Sequence, residues 1–203
     1  MKIPHKELEN VRKDPLKYKG ATFKKDHGFS VYPTASIFRC ALMEYHRSFS
    51  VQKAVSHFER IFDANRKATK ANDRTKTEYI GHLFAYDSSY KKQGVSTIKP
   101  FPRIAIPIGG DIFISGEIIR IDIVNTGGYS ACILTKNITD WKRELRMPLL
   151  QSYISSELKC SYSDVSVGIF SLESNTHTFY KFSPMQIRKA FEEANRIAAK
   201  LVE

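Results

Sequence analysis

The change of periodicity near Pro102 constrains this chain more than any other feature. Before it, apolar residues recur at helical spacing: Val51, Ala54, Val55, Phe58, Ile61 and Phe62 fall on one stripe of a 3.6-residue period. After it, short β-rich runs alternate with turn signals. Residues 103–108 read as a strand, Gly109-Gly110-Asp111 as a turn and 112–123 as a long strand. Asn125 to Gly128 (NTGG) forms a second hairpin signal, and 129–135 a third strand, so that the three strands make an antiparallel meander. A helix over 141–158 follows, with Asp140 as its cap and Pro148 marking a start or kink inside it. Strands at 164–172 and 177–182 come next. Ser183-Pro184-Met185-Gln186 then opens a last helix, with serine at the cap, proline at the first position and glutamine three residues after the serine.

The first half reads as helices. A short one at 6–12 ends at Asp14-Pro15, because the residue before proline disfavours the α region. Residues 35–64 read as two helices, capped by Thr34 and Ser50. A polar stretch, 65–75, separates them from a helix over 77–90, which Lys91, Lys92 and Gly94 close. The order is therefore helices, then β-β-β-α-β-β-α. This predicts an α/β fold of the α+β kind with a mixed sheet. It divides into a basic helical region, 1–100, and a core, 101–203, forming one compact unit.

The 203 residues are 42% hydrophobic and 26% charged, which suits a globular chain. No run approaches the roughly 18–20 apolar residues that span a bilayer. The first twenty residues are too charged for a secretory signal, and Glu7, Glu9 and Asp14 argue against a mitochondrial presequence. The expectation is a soluble, cytoplasmic protein with no membrane partner. Cys40, Cys132 and Cys160 are far apart and form no CxxC pair, so neither a disulfide framework nor a cysteine zinc site is expected.

Charge points to a partner. The net charge is +11, and residues 1–100 hold 20 basic against 10 acidic residues, whereas 101–203 hold 12 against 11. Such asymmetry suits a polyanion surface. The basic residues Lys24, Lys25, Arg66, Lys67, Lys70, Arg74, Lys91 and Lys92 form clusters, with Tyr18, Phe23, Phe29, Tyr32 and Tyr90 interleaved. Cations of this kind neutralise phosphates, and aromatics stack on unpaired bases.

Residues 115–136, SGEIIRIDIVNTGGYSACILTK, bring in a family. This segment resembles the core of the PD-(D/E)XK (restriction-endonuclease-like) nuclease superfamily, in particular its RecB-like exonuclease branch. That branch reads strand, G-x-x-D-R-x-D, turn, strand with D-x-K, then a helix with Gln and Tyr. Gly116, Arg120 and Asp122 match the glycine, the arginine and the second aspartate, and Lys136 matches the lysine. Gln151 and Tyr153 lie near the helical pair, at a spacing of two where four is usual. The resemblance implies two carboxylates on neighbouring strands that hold Mg²⁺ or Mn²⁺, with the lysine orienting an attacking water. Here the first aspartate falls on Ile119 and the acid of D-x-K on Leu134, an apolar pair expected to fill the vacated space.

Strand alternation sets Asp122 on the face opposite Ile119 and Glu117 on the same face. A rebuilt catalytic site would therefore use Glu117, Glu144 on the following helix, and Lys136. Arg120 is expected to pair with Asp122. His46 and His57 are eleven residues apart on helical segments and share a face; the resemblance offers His46 or His82 as the upstream histidine that some RecB-like nucleases use as a metal ligand, a weak role without the carboxylates, and a plain surface or capping role is the simpler reading. Family members with an iron–sulfur cluster use four cysteines, so three exclude one. No P-loop and no G-x-S-x-G motif occurs. The expected function is nucleic-acid binding, DNA more than RNA, without cleavage and without a cofactor, by a pseudoenzyme acting as a subunit or accessory factor in DNA processing. Lys136 contributes a phosphate contact. An active Mg²⁺- or Mn²⁺-dependent exonuclease with relocated acids is one alternative, and a protein-interaction module for an acidic partner is another.

Overall fold

Alternation along two central strands builds the molecule, whose computed structural model describes residues 1–21, 33–136 and 140–202. In β6 (Tyr129–Thr135), Ala131 and Ile133 enter one core while Cys132 and Leu134 enter another. In β7 (Val165–Ser171), Val165, Val167 and Ile169 join the first core and Phe170 the second. Both faces are buried, so these strands read as nearly continuous apolar runs. β6 and β7 are parallel, which requires a crossover, and α5 (Arg146–Leu158) supplies it.

The five-stranded sheet has the order β2-β5-β6-β7-β8, where β2 is Val95–Pro100, β5 Arg120–Val124 and β8 Thr176–Tyr180. All its pairings except β6 with β7 are antiparallel. A second sheet has the order β1-β4-β3, with β1 at Lys2–Pro4, β3 at Arg103–Pro107 and β4 at Phe113–Glu117. Residues of this sheet, α5, α1 (Leu8–Lys13) and α6 (Pro184–Val202) share the first core. On the other face lie α2 (Thr34–Ser48), α3 (Val51–Asn65) and α4 (Lys70–Lys91), around Phe38, Phe58, Tyr86 and their neighbours. The molecule is thus mixed α and β, with mixed sheets and helices on both sides. Strands β1 and β2, both from the first hundred residues, pair with β4 and β5 of the second half.

Three expectations need correction. The long strand at 112–123 is two strands, β4 and β5, in different sheets. At the step between them, Ile118 N–H donates to Pro102 O at 3.2 Å and Ile119 N–H to Cys132 O at 2.8 Å. Ile118 enters the first core and Ile119 the second. The meander is therefore two hairpins, and alternation does not carry across the step. The expected helix over 141–158 begins at Arg146, preceded by a 3-10 turn at Trp141–Arg143. Asp140 does not cap it but pairs with Arg143 at 2.7 Å. Pro148 falls in the first turn of α5, where a missing N–H costs nothing. Finally, α4 starts at Lys70, several residues early, because Thr69 Oγ1 accepts from Asn72 N–H at 3.2 Å.

Other signals match their residues. Ser50 caps α3 by accepting from Lys53 N–H at 3.3 Å, whereas Thr34 is the first residue of α2 and Pro33 its cap. Ser183 and Gln186 exchange hydrogen bonds of 3.3 and 2.8 Å at the start of α6. Among the described residues no helix is long and apolar enough to cross a membrane.

Two glycines test the packing. A Cβ at Gly168 in β7 would sit 2.2 Å from Thr178 O and 2.6 Å from the Phe179 ring, so Gly168→Ala is expected to destabilise the fold by about 1–3 kcal/mol. A Cβ at Gly81, within α4, meets nothing within 4 Å, so Gly81→Ala is expected to stabilise by about 0.5–1 kcal/mol. Urea unfolding of the two variants checks the opposite signs.

Candidate functional site

Where the chain steps from β4 to β5, a cleft of about 310 Å³ opens between the small sheet, α2 and the end of β6. Ile119 and Leu134 line it, together with Leu42 and Phe101, which gives an apolar floor. The polar wall carries Lys6, Arg39 and Glu117. Arg39 grips Glu117 with two hydrogen bonds, Nε to Oε1 and Nη2 to Oε2, the second at 2.6 Å. Its guanidinium also lies 5.7 Å from the centre of the Phe101 ring. Phe101 is held at φ 49°, a left-handed conformation that costs a non-glycine residue about 1–2 kcal/mol. Its N–H donates to Ile119 O at 2.8 Å, which fixes the ring at the cleft edge.

Gly116 belongs to the cleft for a steric reason. A Cβ there would lie 2.1 Å from the His5 ring, which packs over the strand. His5 is 5% exposed and its Nδ1 meets Arg146 Nη1 at 3.1 Å. Burial, then Arg146 and Lys6, push its pKa down to about 3, so it is neutral. Lys6 stands at the mouth with its side chain open to solvent, yet the mass around it lowers its pKa, first by desolvation and then through Arg146 and Arg39. Glu117 offsets only part of this. The cleft is electropositive.

The donor set does not fit a divalent cation. Among the described residues no three His, Cys, Asp or Glu side chains lie close enough to hold one. The cleft's carboxylate is bound to a guanidinium, and its floor is apolar.

The three residues of the rebuilt catalytic site are not brought together. Glu117 is in the cleft. Glu144 lies between the 3-10 turn and α5, not on the helix, and pairs with Arg146 at 2.5 Å. Lys136 is exposed beside a separate hollow lined by Glu78, Tyr79, His82, Leu172 and Glu173. The basic residues fall into groups. Arg66 reaches Thr34 Oγ1 at 3.5 Å, beside the cleft residues Ala35 and Ser36, and Lys67, Lys70 and Arg74 follow from the end of α3 into the first turns of α4. Lys91 and Lys92 are at the far end of α4, about 30 Å away, and Lys91 pairs with Asp87. Lys24 and Lys25, with Phe23, Phe29 and Tyr32, lie outside the described residues. Arg39, Lys6 and His5 carry no spacing signal in the sequence, and only the fold reveals them.

Behind the floor runs a buried polar network. Arg120 and Asp122 are both 0% exposed and form the expected ion pair. Arg120 also donates to Gln93 Oε1 at 2.8 Å and lies 4.7 Å from the Tyr90 ring centre. Asp122 accepts from Thr97 Oγ1 at 2.7 Å and Ser130 Oγ at 3.1 Å. This puts Asp122 on the helix-layer side, the side of Ile119, and corrects the expectation of opposite faces. Burial raises its carboxyl pKa despite Arg120, Thr97 and Ser130. His46 is buried in this network, its Nε2 2.7 Å from Tyr86 Oη, and is on α2 whereas His57 is on α3. His82 is buried against Asn175, at 2.6 Å. Neither is a surface or capping histidine, because aromatic packing encloses both. Gln151, 0% exposed, clamps α5 to Tyr162 O and Phe182 O at 2.9 and 3.0 Å, and Tyr153 packs against the first core.

No protein-family model matches this chain, and no curated protein matches it. Among solved structures the chain is similar to one described as "Crystal structure of SSO0001", with 13% identity, 94% of this chain and 84% of that chain covered, and a TM-score of 0.34. A likeness at that score carries no argument about this chain.

Asp122→Asn leaves Arg120 without a counter-charge and is expected to cost about 3–5 kcal/mol; Arg120→Met added to it recovers part of the loss, read from urea midpoints as a double-mutant cycle. His5, His46 and His177 have folded pKa values lowered to about 3, 3 and 2, each chiefly by burial. The unfolded chain binds those protons below about pH 6.5, so stability is intact above that pH and falls as pH drops towards 3, by about 1.4 kcal/mol per pH unit for each histidine. Asp122, raised, opposes this in part. Unfolding curves at pH 7, 6 and 5 check the fall, and His46→Phe should flatten it.

Proposed function

We propose that this chain is a nucleic-acid-binding protein on a PD-(D/E)XK-like core of the RecB-like kind, with a lost metal site, acting as a subunit or accessory factor of DNA processing. One observation carries the reading. The positions that the resemblance assigns to the metal-holding acids, 119 and 134, come from the step between β4 and β5 and from β6, and both line one cleft together with Gly116 of β4. The positions normally acidic are Ile119 and Leu134, and Glu117 is tied to Arg39. The topology supports the same reading: β5 and β6, which carry the motif, are antiparallel neighbours, α5 follows, and β7 returns parallel to β6. The cleft cations Lys6 and Arg39, with Arg66 bonded to Thr34 beside the α2 wall, support a phosphate backbone as the ligand.

The test measures binding and cleavage together. Labelled single-stranded and duplex DNA and RNA are incubated with purified protein, with Mn²⁺ or with EDTA. Binding is expected in EDTA, with no cleavage in Mn²⁺. If four single-strand phosphates are neutralised, affinity falls roughly 50-fold between 50 and 200 mM salt. Lys70→Gln with Arg74→Gln should weaken binding and flatten that slope. Metal-dependent cleavage lost in Lys136→Ala would replace this reading with an active nuclease. Absence of any binding at physiological salt, with co-purification of an acidic protein, would favour an interaction module.

A further inference from the structure

The cleft sets a polar wall beside an apolar floor, and that juxtaposition specifies a ligand more closely than a basic surface does. On one wall stand two cations. Arg39 presents a planar fork, now donating to the Glu117 carboxylate, and the same fork can donate to two oxygens of a phosphate. Lys6 is close enough to Glu117, Arg39 and Arg146 to feel all three, and among the described residues it has no salt-bridge partner. The first turn of α2 closes the same end, with Ala35 and Ser36 on the wall, and its dipole adds to the field of the two cations. Beside them is the apolar floor of Leu42, Ile119, Leu134 and the Phe101 ring. The volume, about 310 Å³, lies at the small end of ligand pockets and suits one nucleotide-sized group.

We propose that this cleft binds a phosphate monoester attached to a nucleoside, with the phosphate between Lys6 and Arg39 and the base against Phe101 and its apolar neighbours. That chemistry has two sources, the phosphorylated terminus of a strand and a free mononucleotide. The strand terminus is the favoured source, and this choice rests on the strand-binding reading above. A terminal phosphate carries more charge than an internal diester, so the two cations discriminate ends from interior positions. Glu117 is the competitor. It occupies the guanidinium fork in the absence of ligand and repels an incoming phosphate, so it sets the affinity rather than contributing to it.

Fluorescence anisotropy tests this with internally labelled single-stranded oligonucleotides, in EDTA at fixed salt. The ends carry a 5′-phosphate, a 3′-phosphate or hydroxyls alone. Free mononucleotides, the matching nucleosides and inorganic phosphate are added as competitors, and their direct binding is read by thermal shift. One phosphorylated end is expected to bind about tenfold tighter than the hydroxyl form, as charge-assisted hydrogen bonds allow. Mononucleotide competes better than inorganic phosphate, and nucleoside does not compete. Lys6→Gln and Arg39→Gln bring the ratio of phosphorylated to hydroxyl ends close to one. Arg188→Gln, on the exposed face of α6, leaves it unchanged. Glu117→Gln raises affinity for the phosphorylated end several-fold, a gain that misfolding cannot produce. Salt-dependent binding with equal affinity for both kinds of end, and no competition by mononucleotide, would overturn the pocket and leave the strand-binding reading standing. Mononucleotide binding sensitive to Lys6 and Arg39, with no oligonucleotide bound, would support the pocket and overturn the strand-binding reading. A Glu117→Gln variant that loses affinity would overturn the competitor role and with it the assigned phosphate position.

Discussion

The buried pair of Arg120 and Asp122 is the constraint around which the two halves of the molecule meet. Removing a guanidinium and a carboxylate from water costs several kcal/mol each, and Coulomb attraction offsets this only when the remaining donors and acceptors are also engaged. Here they largely are. Gln93 from the end of α4 takes one side of Arg120, Thr97 of β2 and Ser130 of β6 hold Asp122, and Tyr90 of α4 lies over the guanidinium. The pair therefore fixes the register of α4 against β2, β5 and β6. Among the described residues, Arg120 Nε and His177 Nε2 are buried without a hydrogen-bond partner, and burial keeps His177 neutral. Cys132, beside the same charges, has its thiol pushed up to about 12, chiefly by burial, which leaves it a packing residue and not a nucleophile.

The cleft depends on this network at one remove. Because Arg120 and Asp122 face the helix layer, the chain arriving from β4 must turn its preceding residues to match. Ile118 goes to the first core and Ile119 to the second, and the break between the two sheets falls at that step. The break leaves the gap into which Lys6 and Arg39 reach. A continuous strand from 112 to 123 would close it. The position of the cleft thus follows from the need to bury one ion pair on one side of a sheet.

Local chemistry made much of the fold legible. The cap at Ser50, the reciprocal bonds of Ser183 and Gln186 and the turns at Gly109-Gly110 and Gly127-Gly128 act over two to four residues, and each lies where its residues indicate. Features that depend on distant partners were not legible. β2, VSTIKP, is an edge strand with an irregular register between Thr97 and Lys99, and only its pairing with β5 makes it a strand. β1 has three residues and exists through β4. The step at Ile118 and Ile119 has no turn residue, because it is made by a change of pairing partner. The same holds for the cleft. Gly116, Glu117, Ile119 and Leu134 could be read from the motif, but Lys6 and Arg39 come from 110 and 78 residues before Gly116 and Glu117, and no spacing links them.

The motif separates into two parts with different physical duties. Arg120 and Asp122 lie in the buried network, where removing either leaves the other uncompensated. Ile119 and Leu134 face the cleft and the second core, where an apolar side chain gains burial and a carboxylate would need a metal or a donor to remain charged. The fold therefore does not depend on acidic residues at 119 and 134. It does depend on the adjoining pair, Arg120 and Asp122. Apolar side chains at these positions cost the architecture nothing, and they leave the charge of the cleft to Lys6, Arg39 and Glu117. There Lys6 and Arg39 outnumber Glu117, and the proposed phosphate position rests on that balance.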